Sequence, residues 1–234
     1  MISINDLNKT YGTLKVLDRI NLAIEDGEAV GIVGPNGSGK TTLIKTILAL
    51  VKPDNGDIYV NGTHLNGNWQ YRSDIGYMQQ IARYPENLTV AEVLEMVKDV
   101  REDSPELDTE LIDTFRMQSE MNKRIYALSG GNRQKLSAVL AFMFNPSILI
   151  LDEPTAGLDP RASSQLKDKI EREKANGKTL ILTSHIMDEI DFLTDRIVFL
   201  LEGRIQFDGP KEQIIQQSGE EVLERAIAQL MEDK

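Results

Sequence analysis

Between Asp18 and Glu25 the chain alternates apolar and polar positions, and Ile20, Leu22 and Ile24 share one face. That period of two predicts a half-buried strand over Val16–Glu25. Ile2 to Asn8 reads as a second strand, with Tyr11-Gly12 as a turn. Three runs do not alternate. Glu28–Val33, Ser147–Leu151 and Thr179–Thr183 are apolar nearly throughout, the mark of strands buried on both faces of a parallel sheet. Shorter strands are predicted at Asp57–Val60, closed by Asn61-Gly62, and at Ile75–Met78. Arg196–Leu201 and Arg204–Phe207 read as a hairpin around Glu202-Gly203.

Elsewhere the period changes to that of a helix. Leu43–Leu50, Lys135–Phe144, Pro160–Ala175 and Met187–Leu193 carry apolar residues at helical spacing, and Asn176-Gly177 ends the third of these. From Thr89 to Met121 the chain reads as helical. Val90, Val93, Leu94 and Val97 form one stripe, Leu107, Leu111, Ile112 and Phe115 a second. Thr89 with Glu92 fits a capping box. Val222, Leu223, Ala226, Ile227 and Leu230 fall on one face of a last helix, about 219–231. The expectation is an α/β fold of one domain, residues 1–234. It has a mostly parallel sheet, an antiparallel β layer at the N-terminal side, and a helical subdomain inserted at about 82–145.

Bulk properties narrow the class. The 234 residues carry 26 Lys and Arg against 37 Asp and Glu, a net charge of −11. That balance disfavours a nucleic-acid partner, whose phosphates call for lysines and arginines. There are no cysteines, which excludes disulfides and thiolate metal sites. No apolar run approaches the roughly 20 residues that span a bilayer, and Met1-Ile-Ser-Ile-Asn-Asp does not read as a signal peptide. A place in the cytosol, or on the cytosolic face of the cell membrane, is expected.

The chemistry centres on Gly34-Pro35-Asn36-Gly37-Ser38-Gly39-Lys40-Thr41-Thr42. It fits G-x-x-x-x-G-K-[ST] and stands between a predicted strand and a predicted helix, the context a phosphate-binding loop requires. Glycines let backbone N–H groups turn inward on an anion, and the helix adds the positive end of its dipole. Lys40 then reaches the β- and γ-phosphates, and the Thr41 hydroxyl can ligate Mg²⁺. The strand Ile148–Leu151 runs into Asp152 and Glu153. In a phosphate-loop protein a carboxylate there completes the metal shell, which assigns Asp152 to the metal. Glu153 is left to take a proton from attacking water. Leu128-Ser-Gly-Gly-Asn-Arg-Gln134 is a second glycine turn opening a helix, hence a second anion cradle. One triphosphate has no need of two cradles in one chain, so two chains facing head to tail are a natural solution.

These motifs, in this order, resemble the ATP-binding subunits of ABC transporters over nearly the whole chain. Gly34–Thr41 matches Walker A, and Ile148–Glu153 matches Walker B with its catalytic glutamate. Leu128–Gln134 resembles the signature motif, with Ser129, Gly130 and Gly131 as its phosphate-contacting part. Leu158-Asp159 resembles the D-loop and His185 the switch histidine. Gln80 fits the Q-loop glutamine, a catalytic and metal-side residue. Tyr11 fits the aromatic that stacks on adenine. Asp159-Pro160 is also a good start for a helix. Asn132 departs from the usual signature glutamine, and Gln79 stands where many members have proline, which favours Gln80 for the Q-loop with Gln79 as the alternative. His64 and Trp69 read as structural or surface residues. The resemblance implies a P-loop NTPase core, ATP and Mg²⁺, a homodimer or a pair with a second ATPase subunit, and a separate transmembrane permease. It is exporter-like, similar to the ATPases that accompany maturation of copper-dependent nitrous oxide reductase. Gating of a non-transporting membrane complex, or work as a soluble ABC ATPase, are the rival readings.

Overall fold

A computed structural model describes residues 1–101 and 107–232. In chain order its elements are β1 (Ile2–Tyr11), β2 (Leu14–Ile24), β3 (Ala29–Val33), α1 (Lys40–Ile47), β4 (Asn55–Val60), β5 (Thr63–His64) and β6 (Ile75–Met78). Then come α2 (Val90–Val100), α3 (Glu110–Thr114), α4 (Gly130–Phe142), β7 (Ile148–Asp152), α5 (Pro160–Ala175) and β8 (Thr179–Thr183). The chain closes with α6 (Met187–Leu193), β9 (Arg196–Leu201), β10 (Arg204–Pro210), α7 (Lys211–Ser218) and α8 (Leu223–Glu232). The fold is α/β, and the chain divides into two compact units: Met1–Arg72 with everything from Thr179 onward, and Ser73–Lys178.

The first unit holds two layers of strand. In one, the order is β2-β1-β4-β5 and every pairing is antiparallel. Ile2, Ile4, Leu7, Leu17, Ile20 and Ile24 are buried from it, as the alternation predicts. β1 carries register shifts after Ile4 and a left-handed residue at Asp6 (φ 45), a bulge that turns the strand. It runs on to Tyr11, which pairs with Leu14, so the turn falls one residue later than expected. In the other layer β3 lies between β8 and β9, parallel to both, and β10 closes antiparallel on β9. β3 and β8 are buried at every position, which explains why neither alternates. Their carboxyl ends share one edge, the edge at which ligands sit in parallel sheets. In α8, Leu223, Ala226 and Ile227 are buried as its stripe predicts, while the side chain of Leu230 lies outside those described.

In the second unit β6 and β7 pair in parallel from Ile75↔Ile148 to Met78↔Leu151, and α4 packs on β6. The helical stretch expected over Thr89–Met121 is divided among short elements. α2 opens on the predicted capping box, with the Glu92 N–H 3.2 Å from Thr89 Oγ1 and the Thr89 N–H 2.7 Å from Glu92 Oε2. It ends at Val100, and the part of the predicted helix at 102–106 lies outside the described residues. α3 is short because the chain turns at Arg116, whose backbone is left-handed (φ 55). A 3₁₀ turn, Met117–Glu120, follows. The second stripe still buries Leu111 and Phe115. α5 carries a buried ion network. Lys169 Nζ lies 2.6 Å from Asp108, 2.9 Å from Glu110 and 2.8 Å from Glu173, while Lys178 also pairs with Glu173 at 2.5 Å. Burial alone would push the Lys169 ammonium down. Its hydrogen bonds to Asp108, Glu173 and Glu110 outweigh that and hold it well above the usual lysine range.

Candidate functional site

β3 delivers the loop Gly34–Gly39 at its carboxyl end, and α1 begins at Lys40. Gly34 has φ +151, and a Cβ there would lie 2.0 Å from the Leu200 carbonyl oxygen, so only glycine lets the loop leave the strand this close to β9. The Ser38 N–H closes a turn onto Pro35 O at 3.2 Å. Lys40 Nζ donates to Gly34 O at 2.7 Å and Pro35 O at 3.1 Å, which folds the ammonium back across the loop. The Ser38 hydroxyl is buried and has no hydrogen-bond partner among the described residues. A buried polar atom left unsatisfied costs about 1–3 kcal/mol. A cation held over the loop beside an unsatisfied hydroxyl fits an anion as the missing partner. Thr41 is exposed at the first turn of α1, and Thr42 is half-buried.

His185 follows β8, which runs parallel to β3 with Gly31↔Leu182 in register, so the histidine emerges at the same edge as the loop. Its segment is braced from below. Ser184 Oγ donates to the buried Glu189 carboxylate at 3.2 Å and accepts the Ile186 N–H at 3.0 Å. Tyr11 stands half exposed at the β1–β2 hairpin, with Lys9 Nζ 5.4 Å from the centre of its ring.

The other predicted residues belong to the second unit. β7 ends in Asp152 and is followed by Glu153, and both are buried. Glu153 has a left-handed backbone (φ 53), a strained state for a residue with a Cβ. Its carbonyl, with that of Pro154, accepts the Gln134 side-chain amide at 3.4 Å. Gln80 is exposed just past β6, the strand parallel to β7. On β6, burial and then the charge of Asp152 push the Tyr77 phenol up to about 12. Ser129 caps α4, with its Oγ accepting the Asn132 N–H at 3.2 Å, and Gly130 and Gly131 form the first turn. α4 therefore starts five residues before the predicted Lys135. Asp159 caps α5 through the Ala162 N–H at 2.9 Å and binds Lys135 at 2.8 Å. The Lys135 bond and then the Ala162 N–H hold its carboxyl below the usual range. Gln134 was legible only as the end of the signature-like turn and Lys135 only as a helix residue, since nothing in their spacing names a partner.

Among the described residues no group of three or more His, Asp or Glu can hold a metal alone. Each unit by itself offers hard oxygen donors, the Thr41 hydroxyl in the first and the Gln80 amide and Asp152 carboxylate in the second. Donors of this kind suit Mg²⁺, which takes one or two protein oxygens and completes its shell with water and phosphates.

The sequence pattern of the ABC transporter family matches residues 17–156, more than half of the chain. The chain belongs to the ABC transporter ATP-binding family. It is an ABC-type ATPase. It is 34% identical over 230 residues to the Nod factor export ATP-binding protein I of Rhizobium etli, a match covering 95% of this chain and 72% of that one. A solved ATP-binding subunit of an ABC transporter superposes with a TM-score of 0.91 at 30% identity, covering 99% of both chains. A dimeric ATP-binding cassette in a post-hydrolysis state, bound to ADP and Pi, superposes at 0.78 with 26% identity, covering 90% of this chain and 98% of that one.

Proposed function

We propose that this ABC ATPase is the motor of a transporter, with two copies closing head to tail on two ATP·Mg²⁺. In each copy Lys40 and Thr41 take the β- and γ-phosphates and the metal, and the amides of Gly34–Thr42 cradle the phosphates. Ser129, Gly130 and Gly131 of the other copy cover them, and Tyr11 stacks on adenine. Asp152 holds the metal through water and Gln80 lies on the same side. Glu153 draws a proton from the attacking water, His185 meets the γ-phosphate, and Asp159 borders the nucleotide. Loss of the γ-phosphate removes the contact that favours the closed dimer, and the sandwich opens. The helical stretch about 82–145 of this single ATP-binding domain docks on a separate transmembrane permease, so the chain works on the cytosolic face of the membrane. Export is the favoured direction, because the relative from Rhizobium etli is named for export.

The observation that carries this reading is the Gly34–Thr41 loop, with its lysine folded over it and its Ser38 hydroxyl without a partner among the described residues. The test is Glu153→Gln. It is expected to bind ATP as before, to lose turnover by about 10²–10⁴-fold, the range for removing a general base, and to run as a dimer with ATP·Mg²⁺ in light scattering. A monomer with near-normal turnover would sink the proposal. Co-purification from native membranes should bring a many-span partner with it.

A further inference from the structure

We propose that the β9–β10 turn is a positioning clip for the phosphate loop, in which Gly203 and the Asp18–Arg204 pair set the direction of the Gly39 N–H toward a bound phosphate. The proposal rests on the reading of Gly34–Thr41 as the nucleotide site. The Gly203 N–H donates to the Ser38 carbonyl at 3.0 Å. In a planar trans peptide the C=O and the following N–H point in opposite directions. Fixing the Ser38 oxygen on the turn therefore aims the Gly39 N–H away from it, and that N–H has no acceptor among the described residues.

The turn can hold this position because it is itself pinned. The Gly203 carbonyl accepts the Asp18 N–H at 2.8 Å. Gly203 has φ +75, and a Cβ on it would lie 2.6 Å from the Val16 carbonyl oxygen and 2.9 Å from its carbon. Any side chain must push the turn off β2 and draw its N–H away from Ser38. The side chains lock the same joint. Arg204 reaches the buried Asp18 carboxylate with Nε at 2.7 Å and a terminal nitrogen at 2.5 Å, and Lys15 binds the other carboxylate oxygen. The loop is also held at its other end, where Gly34 lies against Leu200 just before the same turn. Two strand ends that take no part in the chemistry thus fix the peptide on which the phosphate is read.

The experiment measures Kd for Mg·ADP by direct titration, and KM and kcat for ATP, on the purified chain. Lys40→Ala serves as reference for the site itself. Gly203→Ala is expected to weaken Mg·ADP about tenfold or more, as misplaced binding groups do. Arg204→Gln, a change at a half-exposed side chain that leaves the turn backbone intact, is expected to raise Kd and KM about threefold, within what one partly exposed ion pair is worth. Its kcat should stay within about twofold and Arg204→Lys should recover part of the loss. A folded Gly203→Ala with unchanged Kd overturns the clip. So does an unfolded Gly203→Ala together with an Arg204→Gln whose Kd and KM match the parent. If Lys40→Ala keeps its affinity for Mg·ADP, the reading of the loop fails first, and the clip with it.

Discussion

Glu153 combines a buried carboxylate with a left-handed backbone at the tip of β7. A side chain in that region costs about 1–3 kcal/mol, and glycine escapes the cost. Glu153→Ala and Glu153→Gly should both lose turnover, but Ala keeps the strain and Gly releases it. Denaturant titration is expected to show Gly the more stable by about 1 kcal/mol, and the reverse order would show that the strain is not there. The chain thus places strain at the residue proposed for chemistry, and no motif pattern reports a φ angle. What the sequence did make legible at this scale is residue identity: the loop, the Asp-Glu pair and the Ser-Gly-Gly turn follow from fixed spacings. What it hid is partnership. Asn132 reads in sequence only as a departure from glutamine. In the structure its amide reaches Glu120 at 2.8 Å and its N–H closes the Ser129 cap. The residue that receives it is twelve positions away.

At the scale of elements, the strands buried on both faces, the β1–β2 layer and the long α5 were legible because each has a clean period or none. The stretch after α2 was not. Its apolar spacing is helical, yet α3 covers only Glu110–Thr114 and the chain turns at Arg116, because burial of Leu111 and Phe115 needs no longer helix. α7 was missed, since Lys211–Ser218 buries little beyond Ile214 and shows almost no stripe. The joint between α3 and α5 is ionic, and Lys169 is its centre. Removing one partner of a buried ion pair costs about 3–5 kcal/mol, so Lys169→Met should destabilise by that amount at neutral pH. In the parent, Asp108 and Glu173 sit below their usual range. Burial would raise them, but the Lys169 and Lys178 bonds prevail. Their contribution is present above the unfolded carboxylate values near about 4 and is lost as pH falls through the folded ones. Without Lys169 the burial term is less opposed, and acid should favour the folded variant. The gap between parent and Lys169→Met is expected to narrow between pH 7 and pH 4 in thermal unfolding. A gap that stays constant would mean the network is not charged as described.

For the whole molecule, the arrangement proposed above makes each nucleotide site a joint product of two copies, related by a two-fold axis. That predicts rescue by mixing. Lys40→Ala spoils one copy's loop and Ser129→Arg spoils the cover it offers its partner, so each variant alone should be inactive. In a mixed dimer one site carries both defects and the other carries neither. Equal mixing should restore about a quarter of the parent's turnover if copies pair at random around a two-fold axis; no recovery would mean each site is complete within one chain. The division into two units also orders events in time. Ser73–Lys178 is one unbroken stretch, whereas the first unit is assembled from both ends of the chain. β3 is made before the whole of the second unit, and its register partner on β8 lies some 150 residues later, with Ala29 against Leu180. At roughly 5–20 residues per second of synthesis, the strand that carries the phosphate loop waits on the order of ten seconds or more for its neighbours. The inserted unit has its whole sequence by then. The phosphate loop is expected to settle only after β8 has been made, although the loop itself is synthesised well before that strand.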